Sequence, residues 1–139
     1  DFHVGAVTEM GSRITNLSIY SNMHIHPGMS YRLFQELLDS SSFYFDIQYD
    51  IEILASSLRA VERGILLYTL DNLTHHEEYK KLETCYDTIE SLIQNVRQVI
   101  ENPDKYYQLS RNQAQILGIT SLEDYRSLFG RWERKFDCL

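Results

Sequence analysis

Basic residues are under-represented in this sequence: 13 Lys and Arg stand against 20 Asp and Glu, a formal net charge of −7. Such a surface lacks the cationic footprint that phosphate backbones require, so no nucleic-acid partner is expected. It equally disfavours attraction to an anionic membrane surface. Only two cysteines occur, Cys85 and Cys138. They are too few for a disulfide scaffold and have no C-x-x-C spacing for zinc or redox chemistry, which leaves a single Cys85–Cys138 bridge as their one pairing. Glycine is scarce, six residues with none clustered. No Gly-rich phosphate loop, G-x-S-x-G or H-E-x-x-H motif is found. The longest apolar run, GILLYTL at 64–70, is far short of the ~20 residues of a membrane-spanning helix, so no membrane insertion is expected within this chain. The chain begins at Asp1 rather than Met, which reads as a processed chain or a piece of a longer one. The compartment is left open.

Hydrophobic residues are abundant by contrast, at 43% of 139 residues. That is enough for the core of one domain without covalent staples, and a single domain over 1–139 is expected. Ten Tyr accompany one Trp; a tyrosine ring can be buried while its hydroxyl stays wet, which suits either a core rim or a partner surface.

Apolar residues recur at steps of four and three from Ile47 through Ile51, Leu54, Leu58, Val61 and Ile65 to Tyr68. A second series runs Tyr79, Leu82, Tyr86, Ile89, Ile93, Val96, Ile100. Both have the periodicity of amphipathic helices, predicting helices over about 46–71 and 75–102 joined as an antiparallel hairpin with coiled-coil-like seams. Gly64 would weaken the first of them. Asn102-Pro103 reads as an N-cap with proline at the first helical position, opening a helix to about 117, and Gly118 stands where a left-handed residue ends it. Thr120 and Glu123 have capping-box spacing and open a last helix carrying Leu122, Tyr125, Phe129, Trp132 and Phe136. Towards the N-terminus, a helix is expected over about 5–23, ended by HIHPG, and a short one over 30–39. The SSSFYF stretch reads as a connector. The expected fold is therefore all-α, a helical bundle built on a long hairpin.

Candidate sites are few. FYFDIQY at 43–49 concentrates aromatic side chains, and Phe43, Tyr44, Phe45 and Tyr49 are the candidate partner-binding residues. Asn16 and Asn72 open Asn-x-Ser/Thr triplets, candidate glycan acceptors if the chain is secreted. In THHEEY (74–79), neighbouring helical positions point about 100° apart, so His75 and His76 cannot share one ion. Thr74 and Glu77 read as a capping box, with the histidines facing water. HIH at 24–26 can place two imidazoles on one side of an extended chain, half of a metal site. Solvent-exposed histidines are the plainer reading of both, so no metal ligand, catalytic residue or cofactor is assigned. In RWERKF (131–136), basic residues oppose Trp132 and Phe136, a docking patch or a charge set near a helix end.

These features predict a non-enzymatic interaction or ligand-sensing module of signalling or regulatory character. It would act through contacts with a protein partner or with a second copy of itself. Two alternatives stay open: a secreted four-helix cytokine-like ligand, and a metal-binding helical-bundle enzyme.

Overall fold

The structure, a computed structural model, describes residues 1–119. The fold is α/β, not all-α: among the described residues, five strands lie in two parallel sheets with five α-helices. The chain packs as two compact units that divide after Ser41. The predicted C-terminal helix, its capping box, RWERKF and Cys138 fall outside the described residues.

In the first unit, strand β1 (Phe2–Gly5) pairs in parallel with β2 (Met23–His26). A parallel pair needs a crossover rather than a tight turn, and here it contains helix α1 (Ser12–Thr15) and a 3-10 turn (Asn16–Ile19). The predicted helix over 5–23 is thus replaced by strand ends and two single turns, and the HIH of HIHPG lies within β2. Helix α2 (Tyr31–Ser40) lies close to the expected 30–39. The Ser30 hydroxyl caps it by accepting from the Leu33 amide at 3.2 Å, and Phe34 and Leu38, one turn apart, form its buried face.

The second unit carries a three-stranded sheet in the order β3 (Phe43–Asp46), β4 (Leu66–Leu70), β5 (Cys85–Tyr86), all parallel. Helix α3 (Ser56–Glu62) connects β3 to β4. A 3-10 segment (Glu77–Lys81) precedes β5, and α4 (Ile89–Glu101) and α5 (Pro103–Ile116) follow it. The predicted long hairpin is therefore absent. Its first helix is in fact a strand, a loop, a two-turn helix and a second strand, and its second helix forms only from Ile89 onward. Gly64 adopts φ +76° just beyond α3, so it ends that helix instead of weakening a longer one.

All five residues of β4 are buried, as expected of a parallel strand covered on both faces. Leu66, Tyr68 and Leu70 pack with Leu92, Val96, Val99 and Leu109 from α4 and α5. Leu67 faces the other way, against Val61 of α3, Tyr79 of the 3-10 segment and Leu82 just after it. Each such side chain, fully buried, contributes about 1.5–3 kcal/mol relative to exposure. The α4–α5 junction matches its sequence signals. Asn102 ends α4 and caps α5, its side chain accepting from the Lys105 amide at 3.4 Å, with Pro103 at the first helical position. Gly118 follows α5 at φ +66°.

Candidate functional site: a clasped apolar loop

In parallel sheets, loops leaving the carboxyl ends of the strands are where side chains from distant segments meet. The loops after β3 and β4 leave the same end of the sheet, and they are bonded to each other through Asp46, the last residue of β3. Asp46 is 1% exposed. Thr69 of β4 donates its hydroxyl to the Asp46 carbonyl at 2.9 Å. The Asp46 carboxylate takes the His75 ring Nδ1 at 2.7 Å and the His75 amide at 3.4 Å. The other ring nitrogen of His75, Nε2, meets the carbonyl of Asp50 at 2.5 Å.

Carboxylate and carbonyl oxygens are both acceptors, so the protonated ring, which donates from both nitrogens, is the form that satisfies both contacts. The Asp50 carbonyl first, then the Asp46 carboxylate, raise its pKa above the ordinary 6.5 against the opposing effect of burial.

Glu52 makes a second fastening. Ala55 precedes α3 with no side chain able to cap it. Glu52 reaches that helix start instead, accepting the Ser57 amide at 2.5 Å and the Ser57 hydroxyl through the same oxygen. A carboxylate there satisfies an orphan amide at the positive end of the helix. Its other oxygen bonds His76 Nε2 at 2.9 Å. Burial pushes Glu52 upward, but the hydrogen bonds from Ser57 and His76 outweigh it and hold the group below its ordinary 4.5. The Tyr79 hydroxyl meets the Ser57 hydroxyl at 2.9 Å, and Tyr44 donates to the Ser56 hydroxyl at 2.6 Å. Burial pushes the Tyr44 phenol up to about 12.

Asp46 and His75 thus spend their charged atoms on each other and on nearby backbone, and Glu52 spends its own on Ser57 and His76. What they hold is the 47–55 loop. Tyr49 is 90% exposed on it and Ile51 86%, with Ile53, Leu54 and, at the start of α3, Leu58 also exposed. Leu54 and Ala55 are both left-handed, at φ 60° and 50°. That conformation costs a non-glycine residue about 1–2 kcal/mol and persists only where neighbours enforce it. The loop is thus apolar, exposed, locally strained and anchored by charged groups.

The two ionisable fastenings titrate on opposite sides of a pH window. A raised histidine stabilises the fold fully below 6.5, and its contribution is lost as pH climbs through the folded value. A depressed Glu52 stabilises above 4.5, and its contribution is lost as pH falls through the lower folded value. Urea denaturation across pH is expected to show both contributions in full between those two values and a decline on either side. His75→Gln is expected to remove only the alkaline decline.

The structure distributes the predicted partner-binding residues differently from a connector. Phe43, Tyr44 and Phe45 form β3. The ring of Phe43 sits 6.1 Å from Tyr68 and 5.7 Å from Tyr106, and that of Phe45 lies stacked 5.8 Å from Tyr68. Tyr44 faces the α3 side, and Tyr49 alone of the four stands free of the core. Asn16 and Asn72 are both exposed, Asn72 in the turn after β4. Cys85 is half-buried in β5, where burial and then Asp71 and Asp87 push its thiol up. His75 and His76 do not face water from a capped helix. Thr74 donates its hydroxyl to the His76 carbonyl at 3.2 Å rather than capping anything. Asp46, Glu52 and Ser57 escaped the sequence reading, since no local spacing links them, and Ile51 was expected in a helical seam rather than on an exposed loop. Among the described residues, no three His, Cys, Asp or Glu side chains surround a common point.

Parallel strands covered on both faces and joined at their carboxyl ends define an α/β domain. The chain belongs to the GftB/GlyA-F C-terminal domain family, whose model matches residues 1–113. It is 24% identical over 131 residues to the UDP-N-acetylglucosamine–peptide N-acetylglucosaminyltransferase stabilizing protein GtfB of Limosilactobacillus reuteri subsp. suis, a match covering 93% of this chain and 30% of that protein. With the protein of the same name from Streptococcus parasanguinis it shares 34% identity over 74 residues, 53% of this chain and 17% of the relative. With glycosyltransferase GlyD of Streptococcus pneumoniae it shares 28% over 102 residues, covering 68% of this chain and 12% of that enzyme. Among solved structures, the crystal structure of the GtfA/B complex bound to UDP and GlcNAc superposes with a TM-score of 0.75 at 17% identity, over 94% of this chain and 30% of that one. The chain spans less than a third of the length of these relatives. The expected signalling or regulatory character gives way here, because the GtfB relatives are named as stabilizing proteins of a glycosyltransferase. The coiled coil, the cytokine-like ligand and the helical-bundle metal enzyme fall with the all-α fold.

Proposed function

We propose that this chain is the C-terminal domain of a GtfB-like, non-catalytic subunit that binds a glycosyltransferase and keeps it in its stable form. The observation that carries this reading is the clasped 47–55 loop, which presents Tyr49 and Ile51 to solvent on a rigid base. Exposed apolar anchors held without conformational freedom bind a protein partner at low entropic cost. The relatives' name supplies the class of partner.

The test is a Tyr49→Ser/Ile51→Ser variant of the whole protein, produced with its cognate glycosyltransferase. Both residues are exposed, so the variant is expected to keep its own circular dichroism and melting midpoint. The transferase is expected to melt at the temperature it shows alone, with its yield in the soluble fraction falling. An unchanged transferase midpoint with a folded variant would overturn this role for the loop. If light scattering instead shows the variant losing self-association, the surface serves a second copy of this chain.

The likeness to GlyD favours a second reading, sugar transfer by the whole protein. The internal pairing of Asp46, Glu52 and His75 weighs against it, since a general acid or base needs an atom free for the substrate. Calorimetric titration with UDP-N-acetylglucosamine, paired with an assay for release of UDP, separates the two readings.

A further inference from the structure

His75 grips two segments at once. One is Asp46, the last residue of β3, whose carboxylate meets ring Nδ1 at 2.7 Å. The other is the loop, whose Asp50 carbonyl meets Nε2 at 2.5 Å. Asp50 stands between Tyr49 and Ile51, the two most exposed apolar side chains of the loop. Both ends of this stretch have fastenings of their own. Asp46 is tied to β4 by the Thr69 hydroxyl, and Glu52 is tied to Ser57 and His76. Residues 47–51 are therefore a short span between two fixed points, with the Asp50 contact at its middle.

Only the protonated ring satisfies both contacts. Neutral imidazole keeps one proton, and its other nitrogen becomes an acceptor. The proton stays at Nδ1, because a hydrogen bond to a carboxylate is roughly twice as strong as one to a neutral carbonyl. Nε2 then turns a lone pair towards the Asp50 oxygen, and two acceptors that close repel. We propose that His75 is a proton-operated latch: its cation holds Asp50, and with it Tyr49 and Ile51, and its neutral form frees the 47–51 span while the fastenings at Asp46 and Glu52 stay closed.

The charged groups facing the ring are Asp46 from β3 and Glu52 from the loop, and both favour the cation. His76, its neighbour in the chain, is committed to Glu52 at 2.9 Å, with Glu78 of the 3-10 segment 3.9 Å from its other nitrogen. The Asp50 carbonyl is the largest influence keeping the proton on, and burial opposes it, so release comes as pH climbs through a value above 6.5. Beyond that midpoint the latched fraction falls about tenfold per pH unit. As a control on binding, the latch rests on the loop being the transferase-facing surface proposed above. A partner that needs the latched form then loses apparent affinity in the same proportion.

NMR of the isotope-labelled full chain, with no partner present, reads the latch directly. As pH is raised, His75 Nε2 is expected to lose its proton and Nδ1 to keep one. The amides of Tyr49, Asp50 and Ile51 are expected to shift with the same midpoint and to lose order, while the Ser57 amide, held by Glu52, stays in place. In His75→Gln the three loop amides are expected to show no such transition. Loop amides that stay still while the ring titrates, loss of the Nδ1 proton instead, or the same loop transition in His75→Gln would each overturn the latch. Because no transferase is used, a motionless loop removes the latch and leaves the binding role standing. A transferase indifferent to Tyr49→Ser/Ile51→Ser removes that role and leaves the latch.

Discussion

Asp46→Ala is expected to lower the unfolding free energy by about 3 kcal/mol, the range for breaking a buried, hydrogen-bonded ion pair by deleting one partner. Three consequences of the geometry set that size. The carboxylate is 1% exposed, so water cannot take its place. Its removal leaves the His75 imidazolium with one acceptor, the Asp50 carbonyl. The His75 amide also loses its acceptor. Part of the loss is electrostatic, so the difference between Asp46→Ala and the unchanged chain is expected to narrow as pH rises through the His75 value. Denaturation at about pH 6 and pH 9, followed by circular dichroism, gives both numbers. A difference independent of pH would mean that His75 is not charged in the fold.

Gln113→Leu is expected to cost about as much, for a different reason. β5 pairs with Thr69 and Leu70, so among the described residues the first half of β4 has no strand neighbour on that side. Gln113 of α5 stands in for one. Its carboxamide accepts from the Leu67 amide at 2.8 Å and donates to the Ile65 carbonyl at 2.9 Å. Leucine has a similar volume but cannot bond. It would leave two buried backbone groups unsatisfied, each costing about 1–3 kcal/mol. Gln113→Glu preserves the acceptor and loses the donor, and is expected to fall as far or further because it buries a charge. Thermal melts of the three proteins rank them. A Gln113→Leu protein as stable as the unchanged chain would show that the strand edge finds other partners.

The elements that could be read from sequence are those with punctuation at their ends. Helices α2 and α5 are bounded by Ser30, by Asn102-Pro103 and by Gly118, and they appear within a residue or two of their expected limits. The long hairpin failed because its periodicity is a coincidence of concatenated elements. In the first series, Ile47, Ile51, Leu54 and Leu58 are exposed, Val61 belongs to a helix, and Ile65 and Tyr68 belong to the central strand region. In the second, Ile89, Ile93 and Ile100 lie outward, while the face of α4 that meets the sheet is Leu92, Val96 and Val99. The one strong strand signal was the contiguous run ILLYTL. A short apolar run does not distinguish a buried parallel strand from a helix by period, and its leucines carry little β preference. The clasp was legible only in part. His75 and His76 stand out in the sequence, but Asp46 and Glu52 lie on another loop, and nothing local indicates that the two loops meet.

The clasp also orders events in time. Its parts come from β3, the following loop, the start of α3 and the segment after β4, so it cannot close before β3 and β4 have aligned side by side. Parallel alignment requires the whole intervening chain to be in place, a slow step compared with forming a single helix. Until then Leu54 and Ala55 have nothing to hold them left-handed, and Tyr49 and Ile51 are only two apolar residues on a loose chain. The presented surface is therefore a late product of folding. If, as proposed, a partner grips it, that partner accepts finished copies and passes over incomplete ones.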